Sequence, residues 1–284
     1  LNVGIGLPSA VPGTRADLLV EWSAKADEGS FSSLGVVDRL RYDSYDPMTV
    51  LAHAAVATRR IGLVTMVVIG PLRNNAVLAK EAATVDHLSG GRLTLGLAVG
   101  ARGEDYKAAG VSQRERGERL TNQLADLRAI WEREETGRLT ESGWGPPVIV
   151  GGMSDATFLR TARYADGYVH GGGPPRTFER AADKMHTAWR DLGRTGRPLL
   201  WAQGYFALGD AETVERGRAY MRDYYAFTGP FAERIAEGML ATPQAVAQFV
   251  RGYAEAGCDE LVLLPAVADI AQLERLADAL GGVS

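Results

Sequence analysis

The residues best equipped for chemistry sit where strand-like runs end. Gly151-Gly152-Met153-Ser154 follows the apolar run PVIV and precedes a helical pattern. Two glycines leave backbone N–H groups bare, and Ser154 opens a helix whose dipole favours an anion. Ser154 and Thr157 add hydroxyls, so this turn reads as a phosphate site or as an ordinary helix cap. Arg116 could reach the same phosphate, and Arg119 with it. Each reads equally as a solvated helix charge beside Glu115 or Glu118. Asp38 and Arg39 end another apolar run. Arg39 could bind an acidic substrate or stabilise negative charge, or the two could form a structural ion pair at a rim. His170 precedes Gly171-Gly172-Gly173 and reads as a proton-transfer group or as a hydrogen-bonded structural histidine. Gly100, Arg102 and Glu104 lie in a glycine-rich loop behind a further strand.

Several chemistries lack their residues. His53, His87, His170 and His186 include no pair at metal-ligand spacing. Lys25, Lys80, Lys107 and Lys184 fall on helices or a loop, away from where a Schiff-base lysine would stand. No G-x-S-x-G elbow is present. The G-x-G of NVGIGLPS fails as a dinucleotide fingerprint, because Ser9 replaces the third glycine and Pro8 blocks the turn into a helix. What is left is a protein whose chemistry comes from a cofactor.

The elements that would position these residues alternate strand and helix. Leu78, Ala82, Val85 and Leu88 recur at helical spacing and make one buried stripe. Ser89-Gly90-Gly91 closes that helix. Leu93, Leu95, Leu97 and Val99 then alternate with Thr94, Gly96, Ala98 and Gly100. The large face is expected to meet a helix, and the small face to leave room for something else. Strands are further predicted at Val3–Leu7, Ser33–Asp38, Ile61–Ile69, Pro147–Gly152, Gly167–His170, Leu199–Leu208 and Glu260–Leu264. Helices are predicted at Arg15–Glu28, Asp46–Thr58, Glu115–Glu132, Ala156–Tyr164, Phe178–Leu192, Ala211–Ala226, Thr242–Ala256 and Ile270–Leu280. The strongly apolar Ile61–Ile69 suits burial on both faces. Eight such units in 284 residues predict an α/β fold, a (β/α)8 TIM barrel filling residues 1–284 as one domain.

Bulk properties agree. Hydrophobic residues make up 46% of the chain, enough for a full core. A net charge of -4 offers no broad attraction to nucleic acid or an anionic membrane. No apolar run approaches a membrane span, and the strand-like opening reads as a first strand, so no signal peptide is expected. The lone Cys258 suits a reducing cytoplasm.

Four motifs in register resemble the luciferase-like monooxygenase superfamily. They are Asp86-His87-Leu88-Ser89-Gly90-Gly91-Arg92; Tyr106 to Trp131 with Gly110-Val111, Arg116 and Arg119; Gly151-Gly152-Met153-Ser154 with Ala162-Arg163-Tyr164-Ala165-Asp166-Gly167; and Ala256-Gly257-Cys258-Asp259-Glu260-Leu261. The resemblance implies a bacterial-luciferase-like barrel that binds FMN or the deazaflavin coenzyme F420. It implies oxygenation or reduction of a small apolar or amphipathic substrate, with mouth-side candidates Met66, Ile69, Leu40, Tyr42 and Tyr45. A partner reductase and a homodimer built on the early helices are implied as well. Cofactor contacts would fall on Met66, Val67, Val68, Gly100, Arg102, Arg116, Gly151, Gly152, Met153, Ser154 and Thr157. Catalytic candidates are Asp38, Arg39 and His170. The third strand of the family often carries a non-proline cis peptide, which would fall near Val67-Val68. Two positions depart from the pattern: Arg39 stands where several members have a catalytic histidine, and Asn74-Asn75-Ala76 replaces a usual proline. An arginine is no general base near neutral pH, so a non-catalytic flavin-binding barrel stands as the alternative.

Overall fold

Alternation of large and small side chains sorts each strand into an outer and an inner face. A computed structural model describes residues 1–133 and 145–282. In chain order the elements are β1 (Asn2–Gly6), α1 (Ala16–Glu28), β2 (Ser33–Val36), α2 (Pro47–Ala57), β3 (Gly62–Thr65), β4 (Val68–Ile69), α3 (Asn75–Ser89) and β5 (Leu93–Ala98). Then come α4 (Gly103–Ala109), α5 (Arg116–Glu132), β6 (Val148–Gly151), α6 (Asp155–Tyr164), β7 (Gly167–His170) and α7 (Pro175–Asp191). The chain continues with β8 (Leu199–Phe206), α8 (Ala211–Tyr224), α9 (Phe231–Glu237), α10 (Pro243–Glu255), β9 (Glu260–Pro265) and α11 (Ala271–Gly281). All strand pairings are parallel, and β9 pairs with β1. β3 and β4 both pair with β5, so they share one barrel position and the ring closes with eight. This is the predicted (β/α)8 barrel.

Two apolar clusters follow from the two faces. Leu93, Leu95 and Leu97 join Leu78 and Ala82 of α3 and Leu120, Leu124 and Leu127 of α5 in the outer layer. Each such leucine contributes about 1.5–3 kcal/mol by leaving water. Inward residues Val64, Met66, Ile149, Val169, Val262 and Leu264 form a second cluster that fills the lumen. The small face of β5 therefore leaves no room for a ligand. A Cβ on Gly96 would stand 2.1 Å from the Thr65 carbonyl oxygen of the adjacent strand. Neighbouring backbone, not a guest, occupies that space.

The structure corrects other expectations. Leu88 is 46% exposed, and the buried stripe of α3 turns instead through Leu78, Ala79, Ala82, Ala83 and Val85. The run Ile61–Ile69 is not one strand, since it breaks at a cis peptide between Met66 and Val67. That bond lies one residue before the expected Val67-Val68. Helices α4 and α9 were not predicted; each is one short stretch of seven residues.

The Asp86–Arg92 motif acts at the amino end of the barrel. Gly90 takes a left-handed φ of 69° and closes α3 by donating its N–H to Asp86 and His87 carbonyls. Ser89 Oγ accepts from the Arg92 N–H at 3.1 Å, and Asp86 Oδ1 accepts from the Leu93 N–H. The Arg92 guanidinium donates to the carbonyls of Ile61, Ala55, Thr58 and Ser89 and to Thr58 Oγ1. It thereby ties the ends of α2 and α3 to the start of β3. Arg92→Met strips donors from several half-buried carbonyls at once. It is expected to destabilise the protein by about 2–4 kcal/mol, read as a lower denaturant midpoint at unchanged slope. A loss below about 1 kcal/mol would mean that water replaces the guanidinium there.

Candidate functional site

Strand ends deliver the candidate residues to one rim, where they divide into two groups. On the β2–β5 side the charges are already matched. Asp38 is buried past the end of β2; its Oδ2 accepts from the Ile69 N–H at 2.9 Å and its Oδ1 pairs with Arg73 at 3.2 Å. Burial pushes the Asp38 carboxyl upward in pKa, while Arg73 opposes the shift. Arg73 also holds Asp46 at 2.8 Å. The Arg39 side chain, 3% exposed, pairs with Asp105 at 3.1 Å and with Glu104. Asp38 and Arg39 therefore do not pair with each other, contrary to the structural reading of the sequence. They belong to two separate networks that staple β2 to β4 and to α4.

An aromatic strap covers this side. Tyr42 and Tyr224 meet edge to face at 5.4 Å, and the Arg39 guanidinium lies 4.7 Å from the Tyr42 ring centre and 5.3 Å from that of Tyr224. Arg102 donates to the Tyr224 carbonyl at 2.8 Å and stacks on Tyr224 and Phe227. Tyr42 donates to Asp223. Met66, Tyr220, Met221 and Tyr224 belong to one buried cluster, with Val67 packed against it. The carboxyl end of α8 thus crosses the mouth from β8 to the ends of β2 and β5. Val68 faces the outer layer. Gly100 adopts a φ of 68°, with Ile69 packed where a Cβ would point.

The β6–β8 side is open. A cavity of about 710 Å³ is lined by Met153, His170, the Gly171–Gly173 loop, Tyr205, Tyr225 and residues of α9. Gly151 ends β6, and Ser154 caps α6 by accepting from the Thr157 N–H. A Cβ on Gly152 would lie 2.6 Å from Thr157 Oγ1, so the turn tolerates no side chain there. Ser154 Oγ and Thr157 Oγ1 are 3.0 Å apart. Met153 is 59% exposed and borders the cavity, and Tyr168 donates to its sulfur.

His170 lines the cavity next to this turn. It is buried against Phe178 and Tyr168, with ring centres at 5.9 and 6.3 Å. Burial pushes its pKa down to about 4, so the imidazole is neutral at pH 7. Nδ1 accepts from the Gly172 N–H at 3.2 Å, which assigns the proton to Nε2. Tyr225 and Tyr205 exchange a hydroxyl contact at 3.3 Å, and burial raises both pKa values, keeping the hydroxyls protonated.

Arg116 and Arg119 begin α5. Arg116 Nη1 donates to the Gln113 carbonyl and Arg119 Nε to the Pro71 carbonyl; among the described residues neither forms an ion pair with Glu115 or Glu118. Arg160 on α6 was not singled out from the sequence. It is 9% exposed, and its Nε is buried without a partner. The tyrosines of α8 were missed too, although the spacing Tyr220, Tyr224 places them on one helix face. Among the described residues no group of acids, histidines or cysteine forms a metal site. No described helix is long and apolar enough to cross a membrane.

Comparison with known proteins matches this arrangement. The family model for luciferase-like monooxygenases covers residues 3–257. An uncharacterised protein of Mycobacterium tuberculosis is 29% identical over 208 residues, covering 61% of this chain and 72% of its own length. The pyrimidine monooxygenase RutA of Variovorax paradoxus is 28% identical over 204 residues, 64% of this chain and 53% of that protein. Among solved structures, an F420-dependent secondary alcohol dehydrogenase superposes with a TM-score of 0.82 at 16% identity, covering 100% of this chain and 99% of the other. The FMN-bound oxygenating constituent of 3,6-diketocamphane monooxygenase from Pseudomonas putida gives 0.73 at 16% identity, covering 99% and 96%. These two show a shared fold, and the family match over almost the whole chain settles the rest: the protein belongs to the luciferase-like monooxygenase family.

Proposed function

We propose that this chain is a flavin-dependent oxidoreductase that takes FMN or coenzyme F420 at its carboxyl rim and oxygenates or reduces a small organic substrate. The observation that supports the reading is one open cavity lined by the neutral His170 and by Met153, the residue of the Gly151–Ser154 turn that borders it. The residues fit a phosphorylated cofactor. Bare N–H groups and the Ser154 and Thr157 hydroxyls would hold the phosphate, with Arg116 adding charge. When bound, the ring supplies hydride transfer or oxygen activation. Relatives named for F420 and for FMN both share the fold, so the choice between the two rings belongs to experiment.

The protein's own residues then bind and orient. His170 Nε2–H and the two tyrosine hydroxyls are uncharged donors in a largely apolar wall that includes Met221, Phe249 and Leu240, with Arg234 of α9 also lining it. Such a lining suits an apolar molecule carrying one carbonyl or hydroxyl, which a neutral donor polarises without a charge to bury. Arg39 stays out of the chemistry in this reading, because Asp105 and Glu104 already occupy its guanidinium. That same engagement supports the second reading, a non-catalytic flavin-binding barrel. A cytoplasmic homodimer supplied by a separate reductase completes the proposal. The apolar groove between α2 and α3, lined by Met48, Ala52, Val77 and Val85, is the face on which a second copy would seat.

Titration of the purified protein with FMN, F420 and their reduced forms tests the reading directly. Saturable binding of one of them, followed by substrate turnover, is expected; binding with no turnover on any carbonyl or alcohol substrate favours the carrier, and no binding refutes both. Sedimentation should give twice the chain mass of 30.4 kDa, and a monomer would remove the dimer. His170 gives a pH signature. Its folded pKa lies below the ordinary value of 6.5, so the unfolded chain takes up the proton first as pH falls. Its contribution is complete above pH 6.5 and is lost progressively down to about pH 4, by roughly 3 kcal/mol. The fall in stability over that window should shrink in His170→Gln; an unchanged profile would mean that the imidazole titrates normally.

A further inference from the structure

We propose that Arg160 is the buried counter-charge for the cofactor's phosphate, in an anion site between α6 and the first turn of α5. This deepens the flavin reading and rests on it for the owner of the phosphate. Arg160 stands three residues beyond Thr157 on α6, on the same helix face, and arginine side chains on a helix lean back toward its amino end. One guanidinium nitrogen, Nη2, reaches α5, lying 3.3 Å from where a Cβ on Gly117 would stand. Gly117 is the second residue of a 17-residue helix whose cap residue, Glu115, makes no side-chain hydrogen bond to it. A 3-10 turn, Gln113–Glu115, leads into α5 and takes the Arg116 N–H on the Gln113 carbonyl, so the guanidinium stands beside the positive end of the helix dipole.

Nothing in the described chain answers that charge. Among the described residues Arg160 has no ion-pair or hydrogen-bond partner, and its Nε is sealed from water. Burial lowers its pKa with no acid to offset the effect. Arg116 and Arg119 stand on the same turn of α5 and bond only backbone carbonyls. The contrast within the molecule is sharp: the equally buried Arg39 holds two carboxylates. A buried guanidinium without a partner is strongly unfavourable, and it survives where a ligand supplies the missing charge. A phosphate ester matches this set, because its oxygens accept from a guanidinium fork, helix N–H groups and the nearby Ser154 and Thr157 hydroxyls together.

Two measurements on the full chain test this. First, inorganic phosphate should raise the thermal midpoint of the wild type in a saturable way, beyond sodium chloride or acetate at equal ionic strength. In Arg160→Met that shift should vanish, while the midpoint without phosphate stays equal or rises, since a buried unpaired charge has gone. Second, wild type should bind FMN over riboflavin, or F420 over its phosphate-free deazaflavin, by about 50-fold or more. Arg160→Met should cut that ratio to about 5-fold or less with riboflavin affinity unchanged, and Arg160→Lys should fall between. Should the methionine variant fail to fold, Arg160→Gln and the wild-type phosphate titration carry the same comparison. If Arg160→Met keeps the phosphate shift and the FMN-to-riboflavin ratio, the assignment is wrong although the flavin reading stands. If phosphate binds through Arg160 but no flavin does, the anion site stands and the flavin reading falls. A wild type with neither a phosphate-specific shift nor a preference for phosphorylated cofactor overturns the site.

Discussion

A closed ring of eight parallel strands leaves its occupant no place inside. The lumen is filled by Val64, Met66, Ile149, Val169, Val262 and Leu264. Where two strands come closest the chain carries glycine: a Cβ on Gly4 would meet Ser33 Oγ at 2.1 Å, and one on Gly35 would meet Val262 at 2.7 Å. Close packing at crystal-like density excludes any guest of ring size from such an interior. All ligand space must then come from the loops above the carboxyl rim, and its shape depends on which loops fold back across the mouth. Here α8 does so. Its tyrosines seal the β2–β5 half, and the excursion through α9 walls the half that stays open.

The same division governs charge. Beneath the strap, Arg39 holds Asp105 and Glu104 and Arg73 holds Asp38 and Asp46, while Arg102 donates to the Tyr224 carbonyl and stacks on aromatic rings with its Nε left without a hydrogen-bond partner. Matched networks of this kind hold loops to strands; they have little reserve of charge for a ligand. Across the rim, Arg116 and Arg119 bond backbone carbonyls, and Arg160 has no partner among the described residues. Arg39 and Arg160 are both buried, yet the first holds two carboxylates and the second no acid among the described residues.

Much of the fold was legible because local periods survive folding. The period of two in Leu93–Val99 and the helical spacing in α3 both appear where expected, and Asp46-Pro47 and Thr242-Pro243 begin helices as their chemistry requires. What stayed hidden is non-local or period-free. Ile61–Ile69 is apolar throughout, so no change of pattern marks the break between β3 and β4. Helices of seven residues carry too few turns to show a stripe. Arg39 finds Asp105 66 residues away, and Tyr42 finds Asp223 181 residues away. No spacing rule reaches that far. Arg160 was invisible for a different reason, since a lone arginine on an amphipathic helix ordinarily faces water. Only its burial, and the absence of a partner among the described residues, sets it apart.

The motif that most plainly carries the family resemblance lies at the opposite end of the barrel from the chemistry. Asp86, Ser89 and Arg92 bind one another's backbone and the carbonyls of α2 at the amino ends of the strands. That end must be built alike in any barrel of this construction, whatever reaction the other end performs, because it closes the ring between β3 and β5. Family membership read from such a motif is therefore first a statement about architecture. The carboxyl rim carries this chain's particular side chains: Arg39 after β2, a buried neutral His170 at the end of β7, and tyrosines on the helix that crosses the mouth. In this chain the Arg39 guanidinium beneath the strap is taken by two carboxylates, while His170, Tyr205, Tyr225 and Arg234 line the open half. Open space and a neutral imidazole thus lie on one side of the rim, and matched charge on the other.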